Sequence, residues 1–233
     1  MPRRCRPPSC RCFKDRIKDL GQPQGASNVH RRFYPASKLQ SLWNAKAIIE
    51  VLRCRCEDCT TDASLHRNTD ELLDFVLGRS QYKSPAVLML SLLVLIDHPQ
   101  LIDYFLRRRI CDADIECNLH QFDAEHLCRT VWPQFAVEQM KESRRTAEEF
   151  ACDKYRFFLP SIFDIDSWGS ETNIPHFPED VILPFMNEQP LGQRRDDGHL
   201  SQEGGFSTVY SFTILPEYDK LKVRVYQHHC SSH

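Results

Sequence analysis

Residues 191–210 of this 233-residue chain, "LGQRRDDGHLSQEGGFSTVY", hold the residue types most suited to chemistry. Removing residues 193–202 joins Leu191-Gly192 to Glu203-Gly204-Gly205-Phe206-Ser207-Thr208-Val209. The joined string places Gly192, Gly204 and Ser207 in the three small-residue positions of G-x-G-x-x-G-x-V, with Val209 as its valine. Small residues there let backbone N–H groups approach phosphate oxygens, Phe206 covers the tip of the turn, and Val209 is placed to pack on a purine ring. The residues between Gly192 and Glu203 are mostly polar or charged, including Arg194, Arg195, Asp196 and Asp197. They lengthen the turn, which then either bulges outward or cannot lie over phosphates.

A second group is Cys54-Arg55-Cys56-Glu57-Asp58-Cys59. Three thiols this close suit zinc, with His66 or another cysteine as the fourth ligand. No second CxxC accompanies them, and they follow a helical pattern, so reduced thiols without metal are the expectation. His228, His229, Cys230 and His233 form a terminal tract of the kind that binds metal weakly and incidentally. Eleven cysteines is an odd number, which with no apolar signal segment fits reduced thiols and an intracellular protein, cytoplasmic or nuclear. No Ser/His/Asp or Cys/His catalytic set is discernible. Glu148-Glu149 and Asp196-Asp197 read as solvated charge.

The elements that would carry these residues follow from periodicity. Residues 1–34 are rich in Arg, Pro and Cys and read as a disordered basic tail. From Ser37, a candidate N-cap, Leu39, Leu42, Trp43, Ile48, Ile49 and Leu52 recur at helical spacing. Thr69-Asp70-Glu71 opens a helix that Gly78 would close. Ser84-Pro85 is a cap and first-turn proline for a helix over the twelve-residue apolar run 85–96. A membrane span needs about 20 such residues, so this is a core helix. Further helices are predicted after His98-Pro99, after Asp123 and over 138–154. Three prolines and short apolar pairs make 164–187 an extended connector, and from Glu188 the pattern is strand, turn, strand, with the second strand over 209–214. The fold class is therefore mainly α: an irregular helical bundle over 35–163, the connector, and a C-terminal β-hairpin within 188–233. A net charge of −2 gives no reason to expect a nucleic-acid or membrane partner.

The segments "VILPFMNEQPLG" and "EGGFSTVYSFTILPEYDKL" together resemble the opening of the kinase-like domain in a family of fungal proteins, in which a helical region of unassigned role precedes a Ser/Thr-kinase-type fold. "LLVLIDHPQLIDYFLRRRICDADI" and "EFACDKYRFFLPSIF" fit the helical part, and the likeness spans roughly 48–221. The resemblance implies the start of a kinase N-lobe, with Leu191, Gly192, Gly204, Gly205, Phe206, Ser207 and Val209 as ATP-binding residues. It also implies ATP and Mg as the parent's cofactors, and a protein partner or autoregulatory role for the helical region.

Such a lobe next needs a β3 lysine, and the usual spacing falls nearest Arg224, with Lys222 close by. The αC glutamate, the catalytic-loop Asp and Asn and the metal-binding Asp do not follow within residues 220–233. "LHRN" at 65–68 and "DFV" at 74–76 mimic later motifs but precede the glycine segment, in the wrong order. The expectation is the N-terminal portion of a kinase-like protein, catalytically inactive as these 233 residues. The alternative is a zinc-binding helical adaptor built on Cys54, Cys56 and Cys59.

Overall fold

The computed structural model describes residues 8–24, 28–52, 69–79, 82, 84–133, 140–160, 182–190 and 210–219. The described part is mainly helical, with two small antiparallel hairpins. The chain divides into two compact units, Met1–Gly21 with Tyr34–Phe158, and Gln22–Phe33 with Leu159–His233.

The helical unit is organised around α5 (Val87–Leu95), in which every residue is buried. Its sequence, VLMLSLLVL, has no polar stripe, so the helix is stable only when covered on all sides. The cover comes from α1 (Pro8–Leu20), α2 (Ala36–Leu42), α4 (Thr69–Leu77), α6 (Ile102–Arg108), α7 (Asp112–Cys117) and α9 (Met140–Asp153), while α3 (Ala45–Leu52) packs on α1 and α4. The one polar residue of α5 is satisfied at both ends. Ser91 Oγ donates to the Val87 carbonyl at 2.7 Å and accepts from Trp43 Nε1 at 2.8 Å. Beside this axis, Phe105, Trp132 and Phe150 form an aromatic cluster with ring centroids 5.6–6.0 Å apart.

Several predicted boundaries hold. Gly78 ends α4 at φ 65°, and the Arg79 amide bonds back to the Asp74 carbonyl at 2.8 Å, closing the turn as a left-handed glycine cap. Asp123 caps the short turn α8 (Ala124–His126), its Oδ1 accepting from the His126 amide at 2.7 Å. On α9, Arg144–Glu148 and Arg145–Glu149 are exposed i,i+4 pairs, which places Glu148 and Glu149 in solvated pairing. Two boundaries differ. Pro35, not Ser37, precedes α2, and the core helix begins at Val87, not at Ser84-Pro85.

The reading of residues 1–34 as a disordered tail is corrected. Residues 8–20 form α1, with Phe13 and Ile17 buried, and β1 (Gln22–Gln24) and β2 (Asn28–Phe33) form a hairpin. Phe13, Ile17 and Leu20 stand at i, i+4 and i+7, one face of a helix. The surrounding Arg, Pro and Cys dominate the composition but do not disturb that face. Residues 1–7 lie outside the described part.

The second unit contains both hairpins. Its small core is Phe33 from β2 with Leu159, Ile182 and Tyr218, packed by Met186, Ile214 and Leu215. The second hairpin pairs β3 (Phe185–Pro190) with β4 (Tyr210–Ile214), so the first strand begins at Phe185 rather than Glu188. Most of the expected connector, 164–181, lies outside the described residues.

Candidate functional site

The register of the second hairpin is Phe185 opposite Ile214, Met186 opposite Thr213, Gln189 opposite Ser211 and Pro190 opposite Tyr210. Pro190 and Tyr210 immediately bracket residues 191–209. The two ends of the glycine-rich segment are thus adjacent strand partners, as a loop projecting from a hairpin requires. The register shifts between Met186 and Gln189, where Asn187 adopts φ 53°. That is a bulge, tolerated because asparagine enters the left-handed region more readily than most residues. Near the strand end distal to the loop, Phe185 and Phe212 stack with centroids 3.9 Å apart, Phe212 remaining 42 % exposed.

The proposed phosphate-covering residues themselves, Leu191, Gly192, Gly204, Gly205, Phe206, Ser207 and Val209, lie outside the described residues. So do Lys222 and Arg224, the thiols Cys54, Cys56 and Cys59 with His66, and the terminal His228, His229, Cys230 and His233. The described residues bring together the two strands that flank the glycine-rich segment. Among them, no group of three or more His, Cys, Asp or Glu side chains is placed to hold a metal ion. Cys12, Cys111, Cys117, Cys128 and Cys152 are unbridged.

The helical unit holds buried polar groups that sequence reasoning did not single out. Asp112 is 4 % exposed, and its Oδ2 and Oδ1 accept the Leu88 and Met89 amides at 2.8 and 3.0 Å. Its own amide donates to the Pro85 carbonyl at 3.1 Å. This distant carboxyl caps the first turn of α5, whose N-cap residue, Ala86, has no side-chain acceptor. Burial pushes the Asp112 carboxyl up to about 8, with Glu116 adding to the rise while the amides of Leu88, Met89 and Val87 oppose it. Next to it, Cys111 and Asp114 form a capping box on α7, the Asp114 carboxylate accepting from the Cys111 amide at 2.8 Å. Burial and that carboxylate push the Cys111 thiol up, which makes it a poor nucleophile. The acidic first turn, Asp112 and Asp114, is the sequence signal of a helix start here.

His98 is buried where α5 gives way to the turn Pro99–Leu101, its Nε2 lying 3.1 Å from Thr146 Oγ1 and 3.7 Å from Glu142 Oε1 on α9. Gln100 Nε2 lies 3.4 Å from His98 Nδ1. Thr146 and Glu142 both face Nε2, while Gln100 faces Nδ1. The threonine and the carboxylate thus share one ring nitrogen, whereas a nucleophile–base–acid relay needs them on opposite nitrogens. Lys154, also buried, donates to the Phe122 carbonyl at 2.8 Å. These groups tie separate segments of the helical unit together. No helix among the described residues is long and apolar enough to cross a membrane.

The described architecture is thus a mainly helical chain with two small antiparallel hairpins. The chain matches no protein-family model, no curated protein and no solved structure.

Proposed function

We propose that the chain is the N-terminal part of a protein-kinase-like protein. Its helical unit serves as a protein-interaction or autoregulatory module, and residues 188–233 correspond to an interrupted N-lobe hairpin that does not itself transfer phosphate. The observation supporting this reading is the antiparallel pairing of Pro190 with Tyr210, which brings the two ends of the glycine-rich segment together. A glycine loop over phosphates has that topology. ATP and Mg would be the cofactors of the parent fold, held by Leu191, Gly192, Gly204, Gly205, Phe206, Ser207 and Val209 together with acidic residues that 220–233 do not contain. Phosphoryl transfer rests on positioning and on metal-held charge neutralisation, and neither is available from a hairpin alone.

The helical unit is the part able to act in its own right. It has a continuous core and short polar cross-links, whereas the described residues of the second unit form a small core of Phe33, Leu159, Ile182 and Tyr218. Metal analysis tests this against the zinc-adaptor alternative. Thiol titration of the unreduced, denatured protein should approach eleven, with no stoichiometric zinc in the native protein. One tightly bound zinc per chain, lost together with helicity on chelation, would overturn the proposal in favour of an adaptor using Cys54, Cys56 and Cys59.

A further inference from the structure

Two buried oxygens on the segment after α5, Gln100 Oε1 and Asp103 Oδ1, find no hydrogen-bond donor among the described residues. The other Asp103 oxygen, Oδ2, faces the Arg107 guanidinium at 2.5 Å. Residues three apart on a helical turn are neighbours, so two bare acceptors stand on the same side of this one. Meanwhile the amide nitrogen of Gln100, a donor, faces His98 Nδ1 at 3.4 Å, which is long for a hydrogen bond. Rotating the Gln100 amide by half a turn answers both faults. Its oxygen then meets Nδ1, and its nitrogen turns toward the side on which Asp103 stands. The two orientations have the same shape and differ only in where donor and acceptor lie.

An oxygen at Nδ1 places the ring proton on Nδ1 and leaves Nε2 with a lone pair. Thr146 Oγ1, 3.1 Å from Nε2, is then the donor to it. A second proton on the ring inverts the role of Nε2. It becomes a donor, and Glu142 Oε1, 3.7 Å away, is a carboxylate able to receive it. Thr146 is released to turn its hydroxyl to the carbonyl four residues back, as helical threonines do. The other charged groups around the ring have partners or face water. Asp97, beside His98 in the chain, pairs with Lys14 of α1 at 2.8 Å, and Asp103 of α6 with Arg107. Helix α5 carries no charge, while Lys46 and Glu50 of α3 and Lys141, Arg144 and Arg145 of α9 are exposed.

We propose that His98 is a proton-responsive latch between the end of α5 and α9, its Nε2 accepting from Thr146 in the neutral ring and donating to Glu142 in the charged one. Both partners lie on α9, four residues apart, so the helix is held in either state. Only the charged state holds it by a charge-assisted bond, and histidine is the side chain whose ordinary titration falls near neutral pH. The latch acts within the helical unit and is independent of the kinase-like reading of the second hairpin.

Nitrogen NMR of the His98 ring in the full, unmodified chain tests the resting state. At pH 8 the single ring proton should sit on Nδ1, and a ring protonated on Nε2 instead would overturn the inference. The second arm compares urea unfolding of E142Q with that of the unmodified chain at pH 5.5 and pH 8. Because the bond to Glu142 forms only with the charged ring, E142Q should lower the folded-to-unfolded ratio about threefold at pH 5.5, the size of a partly exposed ion pair, and leave it unchanged at pH 8. Equal effects at the two pH values would overturn the latch. In an H98N background the effect of E142Q should lose its pH dependence. A dependence that survives there would give Glu142 a different titrating partner and overturn the assignment to His98. If H98N does not fold, the tautomer measurement, which needs no variant, decides the case.

Discussion

Asp112→Ala should destabilise the helical unit by roughly 2–4 kcal/mol at pH 5, because it strips two buried amides of their acceptor. The amides are those of Leu88 and Met89, in the first turn of a helix with no exposed residue to recruit water. The pH dependence carries a sign. With the carboxyl pushed from its usual 3.8 to about 8 by burial, the folded protein holds a proton that the unfolded chain releases. Between those limits the unfolded state binds fewer protons, so this group makes stability fall as pH rises from about 4 to about 8, and leaves it flat on either side. Asp112→Asn, which keeps one of the two acceptors and cannot ionise, should cost about 1–2 kcal/mol at pH 5. It should gain on the unmodified protein by a few kcal/mol toward pH 8. Urea unfolding monitored by circular dichroism across that range checks both variants. An Asn penalty that grows with pH would mean that the amide bonds outweigh desolvation and that the cap is an anion.

Gly78→Ala should cost a comparable amount, for a steric reason. Gly78 has φ 65°, and a Cβ built there would lie 2.7 Å from the Pro85 nitrogen and 3.0 Å from its Cα. The left-handed conformation alone costs an L-residue about 1 kcal/mol. The second clash is with backbone, which cannot swing aside as a side-chain end would. The Ala86 amide, donating to the Val76 carbonyl at 3.1 Å, holds the two segments together. A loss of about 2–4 kcal/mol is expected, more for Gly78→Val. A change below about 0.5 kcal/mol for alanine would show that the approach of Pro85 to α4 relaxes freely.

These two residues also mark what was legible in the sequence. Gly78 follows the last apolar residue of a capped, periodic stretch, so its role was readable from local order alone. The same holds for Asp123, for α9 and for the core helix, whose cues lie within a few residues of one another. The hairpin was readable from β-branched and aromatic residues on either side of a polar turn. Asp112 was not, because the amides it caps are 24 and 23 residues away and only the fold brings them together. Helix α1 was missed for a different reason: Phe13, Ile17 and Leu20 are a sparse stripe in a segment whose bulk composition resembles a solvated tail. His98 was read only as a helix terminator, since a lone histidine before proline carries no sign of its partners Thr146 and Glu142 on α9. Of the candidate nucleotide site, the flanking strands are described and their pairing is as expected, while the glycine segment between them lies outside the described residues.

Isothermal titration of Mg-ATP into the 233-residue chain, paired with transfer of labelled γ-phosphate, bears most directly on the proposed function. A glycine loop covers phosphates that a lysine and metal ions already hold, and an isolated two-stranded hairpin is itself marginal in water. The expected result is no heat of binding in the micromolar range and no transfer to any substrate, with deletion of residues 193–202 restoring neither. Micromolar binding of Mg-ATP by this chain, abolished by substituting Gly204 and Gly205, would contradict the account and make the hairpin a working nucleotide site.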